Sequence, residues 1–184
     1  MNAQVEQLKK RELELLRLFL QVCGELGLRH YVVGGTLLGA VRHQGFIPWD
    51  DDIDVSLPRA DYDRFVAEAQ SHLPDWCFVQ NFHTDPEFPF VFTKLRDSRT
   101  TYIETSLKNR AINHGVYIDV FPIDYVPEAG RGRFDRENFF LEIRANYEMN
   151  VRPSFKVRVL QRLTLLRYPH IKEALERRDA LFRG

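Results

Sequence analysis

Two neighbouring stretches decide how this chain is read: Tyr31-Val32-Val33-Gly34-Gly35-Thr36-Leu37-Leu38-Gly39-Ala40-Val41-Arg42, and Asp50-Asp51-Asp52-Ile53-Asp54-Val55-Ser56-Leu57-Pro58. In the first, a short β-type run meets a glycine turn, which opens directly onto a helix-like segment with Thr36 as its expected N-cap. In the second, Ile53, Val55 and Leu57 alternate with Asp52, Asp54 and Ser56, the period of a half-buried strand, and Pro58 ends it. That alternation puts Asp52 and Asp54 on one face, roughly 6.5–7 Å apart at their Cα atoms. Two carboxylates so close repel each other, and a divalent cation relieves the repulsion. All-oxygen ligands favour Mg²⁺, with Mn²⁺ as the alternative, over zinc. Asp119, between Ile118 and Val120 on a later strand, is placed to complete the cluster. Gly34 and Gly35 let the backbone approach a phosphate, and the helix start presents N–H groups to the same anion. A glycine turn for phosphates with three carboxylates for a metal describes a phosphoryl- or nucleotidyl-transfer site.

The organisation follows outward from that unit. Gln4 to Leu26 lacks proline and, until Gly24, glycine, and Leu8, Leu13, Leu16, Leu20 and Cys23 recur at helical spacing. Ala60 to His72 reads as a further helix. From Trp76 to Asp124 the chain is β-rich, with runs at Cys77–Val79, Phe90–Leu95 and Val116–Phe121, and a threonine-bearing segment at Thr100–Glu104 between the last two. From Gly132 onward it turns helical, divided by Pro153 and Pro169 into about three pieces. This is an α+β order rather than regular βαβ alternation: a mixed β-sheet core flanked by helices, then a helical C-terminal segment. The expected division is a catalytic core over 1–126, including the N-terminal helix, and a helical, basic segment over 127–184.

Composition excludes several classes. The 184 residues carry 26 Lys+Arg and 26 Asp+Glu, and this neutrality argues against a general nucleic-acid binder. Cys23 and Cys77 form neither a disulfide framework nor a zinc motif. No apolar run approaches the ~18–20 residues that span a bilayer, and Met1 to Leu16 lacks the apolar region of a secretory signal, so a cytoplasmic protein is expected. The neutrality is a sum of opposites: residues 1–150 hold 17 basic and 23 acidic side chains, residues 151–184 hold 9 and 3. The basic end, with Arg152, Lys156, Arg158, Arg162, Arg167, Arg177 and Arg178, reads as a solvated helical face or as a surface for an anionic glycan or the inner face of a membrane. An EF-hand would match Asp50, Asp52 and Asp54, but Val55 stands where that loop needs glycine. No Walker A, GxGxxG or GxSxG pattern occurs.

The runs VVGGTLLGAVRHQGFIPWDDDIDVSLPRADYDRF (32–65), FTKLRD (92–97) and INHGVYIDVFPID (112–124) closely resemble the LicD family of phosphotransferases, over about Arg11 to Val126. The resemblance implies a nucleotidyltransferase-like fold. It implies transfer of a phosphorylcholine-type group from a CDP-linked donor, such as CDP-choline, to a sugar hydroxyl of a cell-surface glycan or glycolipid, with release of CMP. Position by position, Gly34, Gly35 and Thr36 match the phosphate-facing turn, Asp52 and Asp54 the metal-binding pair, and Asp119 the third acidic position. Arg42 and His43 are candidates for contacts to the diphosphate. Lys94 reads either as a neutraliser of phosphate charge or as a lysine snorkelling from its strand. Trp49 either stacks on a cytosine or caps the core, the second being the preferred reading. Tyr31, Trp49, Phe90, Phe92 and Tyr117 are available for cation–π contact with a choline head group. The rivals are a nucleotidyltransferase that attacks the α-phosphate and releases pyrophosphate, a DxD glycosyltransferase, and a non-catalytic nucleotide-binding module of the same fold.

Overall fold

In a computed structural model, residues 3–126, 128, 130–147, 149 and 154–183 are described; Arg152 and Pro153 lie outside them. The chain is α+β and divides into two compact units. The first takes in the chain up to Gln80 together with Phe92–Tyr102 and Asn113–Ile123. The second takes in Asn81–Val91, Ile103–Ile112 and the described chain from Asp124 onward.

The first unit is built on a five-stranded mixed sheet. Its strands are β1 (Tyr31–Val32), β2 (Asp54–Pro58), β3 (Cys77–Gln80), β4 (Thr93–Asp97) and β5 (Val116–Ile123), in the order β1-β2-β5-β4-β3. Only β2 and β5 run parallel; the other three pairings are antiparallel. Around the sheet stand α1 (Ala3–Leu26), α2 (Gly34–His43) and α3 (Arg59–Glu68), with a 3₁₀ turn at Ala69–His72.

Alternation gives the sheet one apolar and one polar face. Val55 and Leu57 of β2, Leu95 of β4, and Ile118 and Val120 of β5 join Leu15, Phe19, Val22 and Cys23 of α1 and Phe65 of α3 in one core. The intervening side chains, Asp54, Ser56, Lys94, Arg96, Tyr117 and Asp119, belong to the opposite face. The burial phase of α1 differs from the expected stripe. Leu13 and Leu20 are exposed, while Glu12, Leu15, Phe19, Val22 and Cys23 turn inward. The 3.6-residue repeat fits either phase, because leucines lie on both sides of this helix, and only the sheet selects one.

Three further expectations are corrected. Val33, not Thr36, is the N-cap of α2, and Thr36 lies inside its first turn. The strand around Pro58 begins at Asp54, so Asp52 precedes it rather than sharing its pleat. The strand expected at Phe90–Leu95 lies at Thr93–Asp97, because the ladder with β5 pairs Lys94 with Asp119 and Asp97 with Val116. Thr100–Glu104 contains no strand.

In the second unit, α4 (Arg131–Tyr147), α5 (Phe155–Arg167) and α6 (Ile171–Arg183) pack together, and Pro169 falls between the last two. Buried Arg144 of α4 ties the α5–α6 connection with Nε donating to Tyr168 O (2.7 Å) and Nη2 to Pro169 O (3.1 Å). Among the described residues no helix is long and apolar enough to cross a membrane.

Candidate active site

The glycine turn is built by steric demand. Gly34 has φ +56°, in the left-handed region, and a Cβ there would come within 2.8 Å of Asp54 Oδ2. A Cβ on Gly35 would collide with the Asp50 carboxylate. Glycine at both positions lets the start of α2 lie directly against these two acidic side chains. The first backbone bond of α2 runs from Leu37 N–H to Val33 O (3.1 Å), and no side chain caps the helix. The amides of Gly34, Gly35 and Thr36 therefore have no intrahelical acceptor and point out of a helix N-terminus, the arrangement that binds phosphate oxygens. Thr36 has a different task from the expected cap. Its Oγ1 accepts the Asp54 backbone N–H at 2.8 Å, while Val33 N–H donates to Asp54 O at 3.2 Å. The turn and the carboxylate-bearing strand are stitched together at Asp54.

Register assembles the rest. Asp54 stands opposite Asp119 on the parallel neighbour, Asp119 opposite Lys94, and Lys94 opposite Gln80, one row across four strands about 4.8 Å apart. Asp119 N–H donates to Ile53 O (2.8 Å), which carries the pairing one residue past the start of β2. Lys94 is 1% exposed, and its Nζ lies 2.8 Å from Asp119 Oδ1 and 3.4 Å from the centre of the Tyr117 ring. The snorkelling reading of Lys94 therefore fails: its ammonium is buried and held between a carboxylate and an aromatic face. Tyr117 is in turn engaged by Lys94 and by the Arg96 guanidinium, 4.7 Å from the ring centre.

The carboxylates carry the mark of crowding. Burial, and after it the charges of Asp50 and Asp119, push Asp52 up to about 6. Burial, with Asp52 and Asp119, does the same to Asp54, also to about 6. Among the described residues no three Asp, Glu, His or Cys side chains are gathered closely enough to form a protein-only metal cage. The donor set fits Mg²⁺ in its usual manner, in which one or two carboxylates share the ion with substrate phosphates and waters. Asp54 lies beside amides able to hold those phosphates, and Asp52 is near enough to act on its charge.

Other sequence candidates are placed elsewhere. Arg42 and His43 are exposed at the far end of α2, about 12 Å of helix from the turn, and the fold does not bring them to it. Trp49 is 83% exposed, so the core-capping reading is corrected. It sits in the loop before the acidic run.

Sequence reasoning missed two acidic residues. Glu12 is 1% exposed on the inward face of α1, and among the described residues its Oε2 has no hydrogen-bond partner. Burial first, then Asp52 and Asp51, raise its carboxyl to about 8. A signal was available: Glu12 falls four residues after Leu8 and three before Leu15, where a helix facing a core carries an apolar side chain. Asp51, the middle of the acidic run, accepts from Tyr102 Oη at 2.7 Å. Beside it opens a cavity of about 820 Å³ lined by Gln4, Gln7, Arg11, Glu14, Thr101 and Tyr102 among others.

A mixed sheet with a glycine turn at a helix start, facing carboxylates on the adjacent strand and its parallel neighbour, defines a nucleotidyltransferase-like domain. Sequence comparison specifies it further. Residues 27–163 match the family described as LicD/FKTN/FKRP, nucleotidyltransferase domain, and the chain belongs to this family. It is 37% identical over 123 residues to the lipopolysaccharide cholinephosphotransferase LicD of Haemophilus influenzae, an alignment covering 62% of this chain and 42% of that protein. It is 43% identical over 44 residues, 24% of this chain and 9% of the relative, to the human ribitol 5-phosphate transferase FKRP. An uncharacterized protein of Rickettsia typhi is 36% identical over 66 residues, 33% of this chain and 21% of that protein. The chain spans less than half the length of the curated relatives it matches.

Proposed function

We propose that this chain transfers a substituted phosphoryl group of the phosphorylcholine type from a CDP-linked donor to a sugar hydroxyl of a glycan or glycolipid, releasing CMP. The observation that carries the reading is the open amides of Gly34–Thr36 set against the Asp54 carboxylate. Two relatives are named for cholinephosphate transfer and ribitol 5-phosphate transfer, which supports a substituted phosphoryl group as the cargo.

Each residue then has a role its surroundings support. The three amides hold non-bridging phosphate oxygens in fixed positions, so the chain contributes positioning and charge stabilisation more than covalent chemistry. Asp52 and Asp54 would hold Mg²⁺, with Mn²⁺ as a substitute. When bound, the ion supplies charge neutralisation of the donor phosphates. Asp119, fixed by Lys94 beside Asp54, is the carboxylate available to take the acceptor hydroxyl's proton, and a loose transition state asks little of that base. The cavity beside Asp51 offers amide, hydroxyl and charged side chains suited to the hydroxyls of an acceptor sugar.

The test is a donor screen of the purified chain with Mg²⁺ and a lipopolysaccharide acceptor, reading CMP release from CDP-choline, CDP-ribitol and CDP-glycerol. CMP release with labelling of the acceptor is expected. Pyrophosphate release from CTP, or binding of a CDP-linked donor with no turnover of any of the three, overturns the proposal.

A further inference from the structure

The helix α5 is amphipathic in the wrong sense for a core element. Its two buried residues are polar, Gln161 at 6% and Thr164 at 3% exposure. Four of its seven large apolar residues face out, Phe155 at 77% exposure, Val159 at 44%, Leu163 at 55% and Leu166 at 84%, while Val157, Leu160 and Leu165 are half-buried. Successive helical residues turn by about 100°, so these four fall within one arc of about 80°. Lys156 and Arg167 flank the arc on one side, Arg158 and Arg162 on the other. A contiguous apolar strip on the surface calls for an occupant.

The charges indicate which. On the neighbouring helices several basic side chains are paired: Arg177 with Glu137 at 2.7 Å, Arg178 with Glu142 at 3.6 Å and Arg183 with Asp179 at 2.6 Å. By contrast α5, FKVRVLQRLTLLR, contains no acidic residue. Among the described residues none of its four basic side chains makes an ion pair; Arg167 lies over the Tyr168 ring, 5.3 Å from its centre. An apolar strip bracketed on both long edges by uncompensated cations is complementary to acyl chains beneath a layer of phosphates. At 13 residues the helix is about 20 Å long, too short to span the ~30 Å hydrocarbon core, so it would lie in the interface plane.

We propose that α5 docks this chain on an anionic lipid bilayer, with Phe155, Val159, Leu163 and Leu166 entering the headgroup–acyl boundary and Lys156, Arg158, Arg162 and Arg167 meeting lipid phosphates. The proposal is independent of the phosphotransfer reading, since lipid binding and CMP release are separate measurements.

The test uses the full chain and vesicles of phosphatidylcholine, with and without phosphatidylglycerol. Co-sedimentation with the anionic vesicles, weakened by salt, is expected, with little binding to phosphatidylcholine alone. Arg158→Gln/Arg162→Gln should lower the partition coefficient about 25-fold, near fivefold for each charge removed. Leu163→Ser/Leu166→Ser should lower it at least ~10-fold with circular dichroism and Tm unchanged, because both side chains are exposed. In a separate variant, Leu166→Trp should give blue-shifted emission quenched by brominated lipid. Equal binding to both vesicle types, or undiminished binding by the leucine double variant, overturns the proposal. So does a wild-type dimer that the leucine variant abolishes while neither protein binds vesicles, since a second copy then covers the strip.

Discussion

Glu12→Gln is the perturbation whose consequence follows most directly from the structure. Glu12 is 1% exposed, with one carboxyl oxygen lacking a hydrogen-bond partner among the described residues, and burial followed by the nearby Asp52 and Asp51 lifts it from 4.5 to about 8. In the unfolded chain the carboxyl ionises near 4.5, so between these values the folded state holds a proton that the unfolded state releases. Stability from this group is therefore complete below pH 4.5 and is lost as pH rises towards 8. Each pH unit inside the window costs about 1.4 kcal/mol, so moving from pH 5 to pH 7.5 costs the wild type about 3 kcal/mol. For a chain of this size that is roughly 6–12 °C in Tm. Glutamine has nearly the same shape and no charge to suppress, so Glu12→Gln should lack this loss. The assay is urea and thermal unfolding of both proteins at pH 5 and 7.5, with EDTA present so that no cation offsets the acidic run. The readout is the change with pH of the difference between the two proteins, which cancels the other carboxylates and any constant packing effect of the amide. Parallel pH profiles would refute the reasoning, because Glu12 would then be ionised at neutral pH by finding water or a partner.

Three more outcomes check the site. Asp54→Asn should abolish phosphotransfer yet stabilise the metal-free chain by about 1 kcal/mol at pH 8, after discounting the half-buried carboxyl for solvent screening. The gain should vanish below pH 3.8, because a carboxyl raised to about 6 destabilises the fold only where it would be ionised; a gain that persists there contradicts the repulsion account. Gly34→Ala places a Cβ against Asp54 Oδ2 at φ +56° and should lower activity by about two orders of magnitude for about 1–2 kcal/mol of stability, measured by CMP release alongside unfolding. Lys94→Met leaves Asp119 buried without its ion-pair partner and should cost about 3–5 kcal/mol. An unchanged urea midpoint would mean that the pair contributes nothing.

The candidate site was legible in sequence where chemistry constrains local pattern. Gly34-Gly35 before a helix-like run was conspicuous as a tight turn, although the side chains of Asp54 and Asp50 that require glycine there were not. The apolar-flanked Asp54 and Asp119 were equally visible, because a carboxylate in the register of a half-buried strand is conspicuous. The mixed α+β order followed from the switch between periods 2 and 3.6 along the chain. The boundaries were weaker, and Asp52 and Thr36 show why. Extended residues continue an alternating pattern past the last ladder bond, and a threonine near a helix start resembles a cap whether or not its hydroxyl has another partner.

What the sequence by itself determined is the inventory: which residues hold charge, where the backbone bends tightly, and which segments bear an apolar face. What only the tertiary structure decided is pairing across distance. The meeting of Lys94 with Asp119, of Gly34 with Asp54, and of Tyr102 with Asp51 depends on strand order and register, and no local periodicity encodes either. The same holds for phase. The leucines of α1 allowed more than one inward face, and the sheet chose the one that buries Glu12. In α5 the packing buries Gln161 and Thr164 and turns Leu163 and Leu166 outward. A helical repeat states how often a side chain returns to a face; only the neighbouring elements determine whether that face meets protein or solvent.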